Sequence, residues 1–204
     1  MDAYTVVNKV IYSRIDNVTA RTGTGEVNHN NPTAIDRNAV GRIIIEPYVI
    51  INSNTLTVTE IGMFSFVYCS NITEILLPQT IKFLGRSCFN SMMSLKSIII
   101  PSSVEVIDIY FLNGVRSTLA NITFCGLTQP KLLTTSGVEI YIASEYNIPI
   151  NVPINYQGDT FLKKNVVKTL LTCLNYQYIL KTCNQHFSNK YISIVSIYII
   201  ILLK

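Results

Sequence analysis

Side chains able to do chemistry are few in this chain, and they are scattered. His29 lies in a polar loop and His186 in a basic tail. Neither belongs to a His-Glu-x-x-His or His-x-x-Glu-His pattern, so two solvated imidazoles are expected. Gly23-Thr24-Gly25 lacks the third glycine and the strand–helix setting of a dinucleotide loop, and no Gly-Lys-Ser or Gly-Lys-Thr is present to cradle phosphate. The twelve acidic residues form no motif. Five cysteines (Cys69, Cys88, Cys125, Cys173 and Cys183) make an odd number with no Cys-x-x-Cys pair. Free buried thiols are expected, in preference to a disulfide framework or a zinc site. Asn17, Asn71 and Asn121 open Asn-x-Thr sequons, candidate glycosylation sites that matter only in a secretory compartment. The expectation is no enzyme, no catalytic residue, no metal and no cofactor.

What remains is a question of packing. The 204 residues are 49% hydrophobic and only 14% charged, against roughly 25% charged for an ordinary domain. That excludes a disordered chain. Thirty Ile and nineteen Asn favour strands and turns over long helices. The net charge of +4 is too small to argue for nucleic acid, and it is unevenly spread. From Lys163 onward there are six Lys and no Asp or Glu.

A 23-residue repeat runs through the middle. Ile61, Gly62, Phe66 and Cys69 fall on Leu84, Gly85, Phe89 and Met92. Ile72, Ile75, Leu77, Pro78 and Ile81 then fall on Leu95, Ile98, Ile100, Pro101 and Val104. A degraded third copy begins at Ile107, with Asp108 for Gly and Leu112 for Phe. One inserted residue then places Leu119, Ile122 and Phe124 at an offset of 24. Val40, Ile43 and Ile45 share the spacing of Ile72, Ile75 and Leu77 and form a partial copy. Each unit has a short strand with alternating faces, a Pro that ends pairing, and a Gly read as serving a tight turn. One unit cannot bury its apolar face alone, so neighbours must stack.

Strand parity then identifies an outward face. Ile75 and Leu77 point to the core, and Glu74 and Leu76 point away. The same parity gives two ladders, Glu74–Ser97–Asn121 and Leu76–Ile99–Thr123. Side by side, Leu76 and Ile99 make a small exposed apolar patch of the kind that marks contact sites. These six residues are the candidate partner-binding set.

Ile-Gly-x-x-x-Phe-x-x-Cys, an Ile/Leu strand, Pro, and a return to Ile/Leu-Gly after 23 residues resembles the BspA-like leucine-rich repeat family. Residues 61–106 carry the resemblance, and 107–125 carry it weakly. It implies a mainly β leucine-rich-repeat solenoid with one short parallel strand per repeat. It also implies a cell-surface protein that binds proteins or matrix in adhesion. Met1-Asp2-Ala3-Tyr4 has no basic start and apolar run, so no signal peptide is read at this end. A cytoplasmic scaffold or interaction protein is the alternative.

The ends should cap the array. Residues 4–26 are expected to form hairpin strands, 28–32 a loop, and 48–60 a hairpin around Asn52-Ser53-Asn54. A strand resembling the repeat element is expected at 138–142. Asn155 to Phe161 resembles the closing segment of the family. Val166, Val167, Leu170, Leu171 and Leu174 have helical spacing. They predict a basic amphipathic helix over 163–181, packed on the last repeat or lying on an anionic membrane. The apolar run 191–203 is a strand, a helix, a truncated membrane segment, or without function. The expected division is 1–58 (β cap and partial repeat), 59–145 (repeats) and 146–204 (closing segment and tail).

Overall fold

Alternating apolar residues in Ile-rich segments, cut by Asn, Gly and Pro, produce strands and turns throughout the described residues. The computed structural model describes residues 4–108, 110–115, 118–133 and 148–169. The strands are β1 (Tyr4–Val7), β2 (Val10–Arg14), β3 (Thr19–Thr22), β4 (Gly41–Ile44), β5 (Tyr48–Ile51), β6 (Asn54–Ile61), β7 (Ile72–Leu76) and β8 (Phe83–Leu84). They continue as β9 (Ser97–Ile100), β10 (Val106–Ile107), β11 (Asn121–Phe124), β12 (Lys131–Leu132), β13 (Ile150–Pro153), β14 (Thr160–Phe161) and β15 (Lys164–Thr169). No helix occurs among the described residues.

Each repeat contributes one strand to each of two parallel rows. The first row runs β3, β6, β8, β10, β12, with Glu60, Phe83, Val106 and Lys131 in register. The second row places β4 beside β7, then β9, β11, β13 and β15. Lys96 N–H donates to Thr73 O at 3.1 Å and bridges β7 to β9. Asn121 lies opposite Ser97 and Ile122 opposite Ile98, the 24-residue offset read from the sequence.

Between the two rows lies the core. Ile43, Ile75, Ile98, Ile122 and Ile150 form one buried tier, and Ile45, Leu77, Ile100, Phe124 and Val152 the next. Phe66 and Phe89 are fully buried and stack at 5.9 Å with their planes 23° apart. They are equivalent rungs of neighbouring coils, as the repeat requires. On the turn side, Phe66 N–H donates to Cys88 O (2.9 Å) and Phe89 N–H to Phe111 O (2.8 Å), so each coil bonds to the next.

Gly62 and Gly85 serve this stacking rather than a tight turn. A Cβ on Gly85 would lie 2.7 Å from Ile61 O and 2.9 Å from Met63 N. One on Gly62 would lie 2.3 Å from Thr22 O. Only a residue without a side chain lets successive backbones come this close. The turn residues take left-handed backbone instead, at Phe64, Ser87 and Tyr110 and again at Tyr68, Ser91 and Gly114.

The N-terminal cap follows the expectation. β1 and β2 form a hairpin through Asn8 and Lys9, and β5 and β6 another through Asn52 and Ser53. All four turn residues have positive φ, the two-residue turn that matches strand twist. A buried polar knot joins cap to array. Thr22 Oγ1 and Ser65 Oγ lie 2.7 Å apart, Gly62 N–H donates to Thr22 Oγ1, and Ser65 Oγ–H lies 2.8 Å from Gly62 O. Residues 28–32 are loop.

The other end departs from expectation. Residues 164–169 are strand β15, not the start of a helix. β15 pairs in parallel with β13, Val166 opposite Ile150, and antiparallel with β14. Val166 and Val167 fit either periodicity, and an open sheet edge with unpaired backbone groups decides for the strand. The rest of the expected helix, the run 191–203 and the strand at 138–142 lie outside the described residues. In the partial repeat, Ile43 and Ile45 are buried but Val40 is 69% exposed. A register shift between Gly41 and Arg42 sets Gly41, not Val40, opposite Ile72.

Candidate interaction face

The second row of strands has one face directed away from the core. Ile75, Ile98 and Ile122 belong to the hydrophobic core, while Glu74, Ser97, Ile99 and Asn121 on the alternate positions are half-buried. Ser97 stands opposite Asn121, and Ile99 opposite Thr123. The sheet thus assembles both ladders across neighbouring repeats.

Exposure is where the expectation fails. Leu76 is only 2% exposed and Thr123 only 4%. Leu76 stands opposite Ile44 of β4 and is shouldered by β9 on its other side. Thr123 stands between Ile99 and Asn151. Both positions are therefore closed to a partner. Ile99, Ser97 and Asn121 are half-buried and do reach solvent. The anticipated Leu76–Ile99 patch is therefore reduced to Ile99.

Two members of the face escaped the sequence reading. Arg42 lies opposite Glu74, and its Nε reaches Glu74 Oε2 at 2.5 Å. Aligning Ile43 with Ile75 would have placed this pair. Asn151 extends the inner ladder beyond Thr123. Its signal was the alternation Ile150-Asn151-Val152.

Among the described residues, reactive side chains do not converge. Burial pushes the Cys69 thiol up to about 12, and Cys88, wholly enclosed, goes well above its ordinary value. Both are free thiols and neutral at physiological pH. Cys125 corrects the expectation of free thiols throughout, because it is disulfide-bonded. An odd cysteine count does not forbid one bond. His29 is exposed, its ring edge-on to Phe64 at 4.6 Å; His186 lies outside the described residues. No group of three or more His, Cys, Asp or Glu among the described residues could hold a metal ion. Of the sequons, Asn17 is exposed in the β2–β3 turn and Asn71 is exposed just before β7, while Asn121 is half-buried in β11. No helix among the described residues is long and apolar enough to cross a membrane.

The sequence profile of the BspA type leucine rich repeat region fits six copies at residues 33–136. A crystal structure of a leucine-rich repeat protein from Bacteroides capillosus ATCC 29799 is similar at 19% identity and a TM-score of 0.42. That likeness covers 59% of this chain and 97% of the other. No curated protein matches. The six profile copies take in β4 through β12 and span half of the sequence; on that match the chain belongs to the BspA-type leucine-rich repeat family.

Proposed function

We infer that this protein is a non-enzymatic binding module acting at a cell surface, where it adheres to a protein or matrix ligand. Its contact surface is the outward face of β7, β9 and β11. The observation that carries this reading is the in-register placement of Ser97 beside Asn121, both half-buried, with half-buried Ile99 two residues along β9. A stacked array holds such rows rigidly, so a partner meets pre-positioned groups and little ordering entropy is lost on contact. Residues 1–58 serve as cap and partial repeat, 59–145 as repeats, and 146–204 as closing segment and tail. Asn17 and Asn71 are positions where a glycan would leave the face clear; one on Asn121 would cover it.

Binding of the labelled full chain to epithelial monolayers and to immobilised matrix protein tests the face. Ile99→Asp and Asn121→Arg should each lower binding at least about tenfold, as loss of a central contact does, with an unchanged far-UV spectrum. Unchanged binding removes this site. Leu76 is unsuited to the test, since an Asp there would be buried. Surface labelling of cells that express the tagged chain tests the compartment. Protein found only inside the cell replaces adhesion with the intracellular scaffold reading.

A further inference from the structure

The outward face carries almost no free charge. Among the described outward positions of its strands, Arg42 and Glu74 are the charged ones, and they bind each other. Beyond them stand Ser97, Ile99, Asn121 and Asn151, with Ile44 and the exposed Val167 on the same parity at the flanks and Thr123 buried between Ile99 and Asn151, so the accessible groups are hydroxyl, amide and aliphatic. Lys168 of β15 falls on the other parity, opposite Val152, and reaches Asp159 at 3.4 Å. Lys96 sits one residue before β9, at the margin. No aromatic ring occupies these outward positions.

Resting on the interaction-face reading above, we propose that the face recognises an uncharged polypeptide segment rich in hydroxyl, amide and aliphatic side chains. The argument is one of charge and surface type. A charged group brought onto this face loses water and meets no opposite charge to repay it. Neutral hydroxyls and amides meet donors and acceptors of their own kind at Ser97, Asn121 and Asn151, and a partner's aliphatic group meets Ile99. A glycan fits less well, because the apolar faces of sugar rings are held best by aromatic platforms. A basic or acidic partner would need a field that the Arg42–Glu74 pair cancels locally.

A yeast-displayed library of random linear peptides, selected with the full-length chain, tests this. Enriched peptides should be uncharged. Their affinity should change less than about threefold between 50 and 500 mM NaCl, a range in which exposed charge pairs are strongly screened. Ile99→Glu and Ser97→Arg should each weaken binding at least about tenfold, as loss of a central contact does. Enrichment of acidic or basic peptides with steep salt dependence overturns the proposal and leaves the face in place as a contact site. Neutral peptides whose binding survives both substitutions bind elsewhere, and they also overturn it. No enrichment from the library overturns the interaction-face reading itself.

Discussion

Asp16 shows how a single side chain fixes a turn and ties it to pH. Val18 and Thr19 N–H donate to its Oδ1 at 2.8 Å each. These bonds, Val18's first, hold the carboxyl below its ordinary 3.8. A lowered folded-state value means that the contribution is complete above 3.8 and lost as pH falls through the lower value. The Val18 and Thr19 amide shifts should report that titration, and Asp16→Asn should flatten it. Gly85 is a second case. Gly85→Ala drives a Cβ into the backbone of Ile61–Met63 and should cost about 1–3 kcal/mol, the range for overpacking, measured by urea unfolding. The repeat marked Gly85 as special but not why, because close approach of two coils is a property of the stack. Leu76 was misjudged for a related reason: parity gives direction, while exposure depends on neighbours that only the assembled sheet supplies. The Arg42–Glu74 pair, by contrast, follows from aligning Ile43 with Ile75, because the register shift lies before Arg42.

Elements were legible in proportion to their length and alternation. β6, β7, β9 and the hairpin through Asn52-Ser53 could be read because apolar residues alternate and turn residues punctuate. β8, β10 and β12 have two residues each, too few to show any period, and exist because a neighbouring coil supplies their partners. β15 was read as helix since Val166, Val167, Leu170 and Leu171 satisfy the helical spacing, while its pairing with β13 lies outside its own sequence. Turn chemistry permits a direct test. Ser53 has φ 63° in a turn where Asn-Gly is preferred. Ser53→Gly should raise stability by about 1 kcal/mol, the scale of left-handed strain at a residue other than glycine, read as a higher urea midpoint with unchanged slope.

In the whole molecule, stability is shared between adjacent coils, and the ends need closing. Phe161 stacks on Phe124 at 4.7 Å, with planes 22° apart, and Tyr156 meets Phe124 edge-on at 6.2 Å. Phe89, stacked on Phe66, sits in the interior of the array. Phe89→Ala and Phe161→Ala should each cost about 3–5 kcal/mol, as buried Phe truncations do. Their reach should differ. Hydrogen exchange should show protection lost around β7, β9 and β11 for Phe89→Ala. For Phe161→Ala the loss should be confined to β11, β13 and β15. A uniform loss in both variants would contradict nearest-neighbour stacking.

The backbone bonds from Phe66 to Cys88 and from Phe89 to Phe111 run from one coil to the next, along the direction in which the coils stack. A tether pulled along that direction loads them end-on and one layer at a time, as a zip is opened from its tail. Each layer released would feed out about 80 Å of chain, given roughly 3.3–3.6 Å per extended residue. Under such a pull the array should lengthen in discrete steps of about that size, which single-molecule force extension would record.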